Sequence, residues 1–191
     1  MKKLILTDCD GVLLNWDYAF HTWMDTHGYH IVPGMEKKYS IAKMYAISEE
    51  HASALVKIFN ESAAIGFLPA LRDAVEYVQK LHELGYRFHV ITSFGTEPNA
   101  IKLRKSNLRK VFGDVFEGYT FLEGMASKQP VLEKYRGTGL YWIEDKASNA
   151  IDGAEVGLQS ILMAHGHNWD KEHPQYTIVP DWEHIYRIIT Q

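Results

Sequence analysis

The chain has 191 residues, 46% hydrophobic and 23% charged, with a formal net charge of −4 at pH 7. That length builds one full globular core plus a modest insert rather than two large domains. The acidic balance gives no basic footprint for duplex nucleic acid, so no polymeric nucleic-acid partner is expected, and a single cysteine excludes an internal disulfide framework.

In chain order, MKKLILTDCDG lacks the long apolar stretch of a signal peptide or membrane helix, so a cytoplasmic location without membrane contact is expected. Leu4 to Leu6 suit a strand covered on both faces, and Gly11 marks a sharp turn. The strand therefore ends in Asp8 and Asp10, with Cys9 between them reading as a core side chain. On a regular strand both carboxylates point to one side, where like charges crowd unless a cation or a shared proton relieves them.

Residues 15 to 70 read as a helical insert. WDYAFHTWMDTHG and SEEHASALVKIFNES have helical period, with no strongly apolar strand between them, and Ser48 is the expected N-cap ahead of Glu49 and Glu50. Trp16, Tyr18, Phe20, Trp23, Tyr39 and Tyr45 crowd this segment; most are expected to fill its own core. FLPAL returns the chain to the main core.

From residue 71 the pattern alternates. LRDAVEYVQKLHELG is an amphipathic helix with Leu71, Ala74, Val75, Val78 and Leu81 on one face, and RFHVITS is the next strand. ASKQPVLEKY opens a helix with Ser127 as N-cap and Pro130 in the first turn. GLYWIED is a strand, SNAIDGAEVG a helix and QSILMAH a further strand. Such alternation predicts crossover units, and the fold class is α/β with a Rossmann-like parallel sheet.

In that sheet Asp8, Thr92 with Ser93, and Glu144 with Asp145 all reach C-terminal strand ends, where open α/β sheets form their ligand crevice. Lys128 at a helix start opposes the dipole, which an anion held there by the ammonium and free backbone N–H groups offsets. Phosphate has that character. His165 and His167 have no third ligand nearby in sequence and read as a loop. Asn15 and Asp17 fall close to the turn at Gly11 without an assigned role.

DCDGVL, VITS, Lys128 and IEDKASNAIDGAEVG, in that order, resemble the four motifs of the haloacid dehalogenase superfamily of phosphatases. The resemblance implies a core of residues 1–14 and 71–191 with a small helical cap at 15–70. It further implies Asp8 as a nucleophile that takes up the phosphoryl group and Asp10 as general acid and base. Thr92, Ser93 and Lys128 would bind phosphate, and a Mg²⁺ ion would be held by Asp8, Asp145, Glu144 and the backbone carbonyl of Asp10. Asn149 stands where a common form of the fourth motif has another acid. The dehalogenase branch, by the same resemblance, lacks an acid at the position of Asp10.

DCDGVLLNW also resembles the start of the 5′(3′)-deoxyribonucleotidases, whose aromatic at the position of Trp16 stacks on a base. FNESAAIGFLPALRDAVEYVQKL and HNWDKEHPQYTIVPDWEHIYRII resemble other parts of that family, whereas IEDKASNAIDGAEVGLQSILM is more similar to sugar-phosphate phosphatases and mutases. The expected partner is thus a small phosphorylated metabolite, first a nucleoside monophosphate. A sugar-phosphate phosphatase or phosphomutase, or an idle phospho-ligand-binding module, are the alternatives.

Overall fold

A computed structural model describes every residue except 1, 2, 37 and 39; Tyr39 of the aromatic set therefore lies outside the described residues. Leu4, Ile5, Leu6 and Thr7 form β1 (Leu4–Thr7), all buried because the strand has neighbours on both edges and is covered on both faces. The other strands are β2 (Arg87–Thr92), β3 (Phe116–Phe121), β4 (Tyr141–Glu144), β5 (Gln159–Met163) and β6 (Tyr176–Val179). Among the described residues they form one six-stranded sheet in the order β3-β2-β1-β4-β5-β6, parallel throughout. The chain runs outward from β1 in one direction and then in the other. The ends of β1, β2 and β4 thus share one sheet edge, at the point where the winding reverses.

Between β1 and β2 come α1 (Trp16–Thr26), α2 (Ile41–Tyr45), α3 (Glu49–Glu61), a short 3₁₀ turn (Ala63–Gly66) and α4 (Ala74–Glu83). Ser48 caps α3 by accepting from the His51 N–H, as its sequence predicts. Phe20 and Tyr45 are buried and Trp23 packs against the same cluster, whereas Tyr18 is exposed. The helical stretch enters and leaves by a paired stem: Leu14 bridges Ala70, the Asn15 N–H donates to the Pro69 carbonyl at 2.9 Å, and the Leu71 N–H to that of Leu13 at 2.8 Å.

Helix α4 begins at Ala74, three residues later than its apolar pattern predicts. Arg72 stands at φ +42°, and its guanidinium donates to the carbonyls of Ala164 and Pro180. The Asp73 carboxylate accepts from the N–H groups of Trp182 and Glu183, at the start of α8 (Trp182–Thr190). Tertiary hydrogen bonds therefore hold this segment out of the helix.

The remaining helices are α5 (Pro98–Phe112), α6 (Gln129–Leu132) and α7 (Ala147–Glu155). Helix α5 and strands β3 and β6 do not emerge from sequence periodicity. Buried Arg104 and Asn107 interrupt the apolar stripe of α5, and β3 and β6 are edge strands that are only partly covered. No helix among the described residues is long and apolar enough to cross a membrane.

Gly153 on α7 sits against Trp142 of β4: a Cβ there would lie 2.3 Å from the indole Cδ1 and 2.8 Å from the Ser160 hydroxyl. Helix propensity favours Gly153→Ala by about 1 kcal/mol, but this clash falls on a fully buried ring and dominates. The expected outcome is a net loss of about 1–3 kcal/mol in urea unfolding; a gain would show that the ring moves freely.

Candidate active site

Asp8 leaves β1 with its N–H still donating to the Ile143 carbonyl at 2.8 Å, so the sheet itself sets its position. Its Oδ1 accepts from the Cys9 N–H at 2.7 Å and its Oδ2 lies 2.7 Å from the Lys128 ammonium. The same ammonium lies 2.8 Å from Oε2 of Glu144, the last residue of β4. Oε1 of Glu144 accepts from the backbone N–H groups of Asp145 and Lys146, so both its oxygens are engaged. Lys128 is 2% exposed and lies over the Trp142 ring, 5.3 Å from its centroid.

Lys128 occupies the N-cap position of the four-residue α6. Ser127, expected there, instead receives the Gln129 N–H. The short helix orients the lysine toward Asp8 and Glu144, and those carboxylates offset its unfavourable place at a helix start.

Carboxylate oxygens of Asp8, Glu144 and Asp145 lie within 4.8 Å of one another. Burial first, then Glu144, pushes the Asp8 carboxyl up to about 7, with Lys128 opposing. Burial, then Asp8, pushes Asp145 up to about 7, and burial also raises Glu144. Burial alone would discharge Lys128; Asp8 and Glu144 outweigh it and hold the amine protonated. Gly11, at φ +72°, admits Asp145 to this cluster, since a Cβ there would lie 2.2 Å from Asp145 Oδ2. Asn168 fixes the other side by donating to the Asp145 carbonyl at 2.6 Å.

The Asp10 carboxylate does not turn to the same side as that of Asp8, contrary to the regular-strand expectation. Strand β1 ends at Thr7, the chain turns, and the Asp10 carboxylate meets Arg104 of α5, with Oδ1 2.6 Å from Nη1 and Oδ2 3.3 Å from Nη2. Burial raises Asp10 to about 6 against the pull of Arg104. The crowded acids are instead Asp8, Glu144 and Asp145. Cys9 is fully buried, and burial pushes its thiol up, which leaves it inert core.

Arg104 is the residue that sequence reasoning missed. Its place on the stripe Ala100, Arg104, Leu108, spaced by four and buried throughout, shows only once α5 is formed, since Lys102, Lys105, Arg109 and Lys110 surround it in sequence.

A cleft of about 1220 Å³ opens over these groups, lined by Asp8, Asp10, Thr92, Ser93, Lys128, Glu144 and Asp145 from the sheet edge and by Trp16 from α1. Thr92 is buried at the end of β2, and the Ser93 hydroxyl donates to the Ala126 carbonyl at 2.7 Å. Trp16 stacks on Phe20 at 4.6 Å and donates its indole N–H to Asn60 at 2.9 Å. His165 and His167 line the cleft with their rings stacked at 5.7 Å, and His165 Nε2 lies 2.7 Å from the Gly11 carbonyl oxygen. Asn149 also lines the cleft.

The site fits a divalent cation. Three carboxylates face one ammonium, and burial first, then the neighbouring acids, pushes two of them up to about 7. Hard oxygen donors suit Mg²⁺. Asp8, Glu144 and Asp145 are the side chains whose carboxylate oxygens lie close enough together to hold it.

No family model matches the sequence. An uncharacterized 32.4 kDa protein of the Gp30-rIII intergenic region of Enterobacteria phage T4 is 28% identical over 163 residues, 82% of this chain; the match spans 58% of that relative's length. A solved structure described as a predicted phosphatase from Clostridium acetobutylicum superposes with a TM-score of 0.68 at 15% identity, over 99% of this chain and 98% of that one. An L-2-haloacid dehalogenase superposes at 0.64 with 11% identity, over the whole of both chains. The fold is thus that of haloacid dehalogenases and their phosphatase relatives. It carries both chemistries, and the site must distinguish them.

Because Asp8, Asp10 and Asp145 have raised folded pKa values, the metal-free folded state binds the extra protons, and their contribution to stability is lost as pH rises from about 4 to about 7. Asp145→Asn removes one such group and relieves Asp8. In EDTA, the variant is expected to lose less stability than the wild type between about pH 5 and about pH 8, by on the order of 2 kcal/mol in chemical unfolding. Equal losses would place the repulsion elsewhere.

Proposed function

We propose that this chain is a Mg²⁺-dependent phosphomonoesterase acting on a small phosphorylated metabolite, with nucleoside monophosphates the first substrate class. The observation that carries the reading is the buried lysine between Asp8 and Glu144, with Asp145 beside them and a second, separately held carboxylate on Asp10. A dehalogenase needs one nucleophilic acid and has no use for Asp10, whereas ester hydrolysis needs a proton donor and acceptor at the leaving oxygen.

Asp8 attacks phosphorus, forming an O–P bond as the ester P–O bond breaks, and the leaving oxygen takes the proton of the Asp10 carboxyl group. The Asp10 carboxylate then takes a proton from a water molecule whose oxygen attacks the phosphorylated Asp8, releasing phosphate and restoring both acids. Lys128 and the hydroxyl of Thr92 hold the phosphoryl oxygens; Ser93 assists after exchanging its bond to Ala126. A bound Mg²⁺, held by Asp8, Asp145 and the Asp10 carbonyl, supplies positive charge against the acid cluster and the phosphoryl oxygens.

The helical stretch of residues 15–70 acts as the cap over this cleft. Trp16, backed by Phe20 and held by Asn60, offers a planar surface to a base. A sugar-phosphate phosphatase is the second reading, favoured by the resemblance of the 143–163 stretch to such enzymes.

Phosphate release measured with Mg²⁺ or EDTA over nucleoside 5′- and 3′-monophosphates and sugar phosphates is expected to favour nucleotides and to vanish in EDTA. Asp8→Asn is expected to lower kcat about 10⁴-fold or more while leaving the folded structure intact. Substantial residual turnover would remove Asp8 as nucleophile. Trp16→Ala is expected to raise KM for nucleotides about 10-fold relative to p-nitrophenyl phosphate; equal changes would remove the stacking role.

A further inference from the structure

Arg104 is fully buried in α5, yet a guanidinium is costly to take out of water, and its Nε has no hydrogen-bond partner. An aliphatic side chain on the stripe of Ala100 and Leu108 would pack there without that cost. The arginine instead grips both oxygens of Asp10, at 2.6 and 3.3 Å, while its guanidinium rests on the Phe94 ring, 4.7 Å from the centroid. Helix α5 is itself anchored one turn further on. Asn107 accepts from the Leu68 N–H at 2.6 Å and donates to the Leu68 carbonyl at 3.0 Å, next to the paired stem. Asp10 lines the cleft; Arg104 does not.

We propose that Arg104 is a positioning residue for the reaction, holding the Asp10 carboxylate in the one orientation that meets the leaving oxygen and the hydrolytic water. The inference rests on Asp10 being the general acid and base. A planar fork against two oxygens fixes both the distance and the plane of the carboxylate, which neither a lysine nor an apolar side chain can do. Two carboxylate oxygens offer about four lone-pair sites, so the fork leaves one on each oxygen for the proton exchange.

The test compares Arg104→Met and Arg104→Lys with the wild type on p-nitrophenyl phosphate, whose leaving group departs without a proton, and on a nucleoside or alkyl phosphate, whose leaving group needs one. For Arg104→Met, kcat/KM on the nucleoside or alkyl phosphate is expected to fall about 10–100-fold, mainly through kcat, against about 3-fold or less on p-nitrophenyl phosphate. Arg104→Lys is expected to fall between, and Arg104→Met combined with Asp10→Asn to be no worse than Asp10→Asn alone. Equal losses on both substrates, or losses that multiply in the double variant, would overturn the proposal.

A crystal structure of the Arg104→Met protein, or of Arg104→Lys if the methionine variant does not fold, reads the same claim without turnover. Asp10 is expected to adopt a changed or multiple side-chain orientation. An unchanged single orientation overturns the positioning role even if the wild type is active, and a displaced Asp10 in a protein inactive on every substrate would overturn the phosphatase reading while sustaining the grip.

Discussion

The ammonium of Lys128 lies between the carboxylates of Asp8 and Glu144, almost out of contact with water, and it ties three segments distant in sequence: the end of β1, the start of α6 and the end of β4. Each carboxylate is also anchored to backbone N–H groups, so the lysine closes a network rather than a single pair. In such a setting the mutual attraction of the charges offsets a large desolvation cost. Losing one partner leaves the others buried and uncompensated, at about 3–5 kcal/mol. The crossing point of the sheet is thus held by the same groups that line its cleft.

The network is incompletely balanced, and that imbalance is its chemical content. One ammonium faces three acids, and burial first, then the neighbouring acids, lets Asp8 and Asp145 hold protons up to about 7. A divalent cation settling among hard oxygens would remove the protons and leave Asp8 ionised. Arg104 meets the Asp10 carboxylate from its own side, while burial and, after it, Asp8 still raise Asp10 to about 6. Two cations of different shape thus face two nearby aspartates: a point charge for one, a planar fork for the other.

Helix α5 links this division to the rest of the molecule. Arg104 and Asn107, three residues apart and therefore on one helical face, reach respectively into the turn after β1 and to the backbone at the exit of the helical insert. The stem that carries the insert and the carboxylate under the cleft are consequently fixed by the same rigid element. Trp16, one residue beyond the stem, inherits that placement.

Much of this was legible in the sequence. The apolar run ending in Asp8, the repeated alternation of helix and strand, and acids and hydroxyls at strand ends determined a parallel sheet with those groups gathered at one edge, because strand period and chain direction are local properties. Lys128 could be assigned to that edge by its place at a helix start. The tertiary structure decided the pairing of charges. Arg104 belongs to a basic helix and looks solvated until α5 packs, when its position on the buried stripe turns it inward to Asp10. Arg72 and Asp73 likewise follow a helical pattern but are drawn out of it by partners near residues 164 and 180–183. A local pattern specifies which face of an element is buried; which charge meets which depends on contacts across more than ninety residues, and only the packed fold sets those.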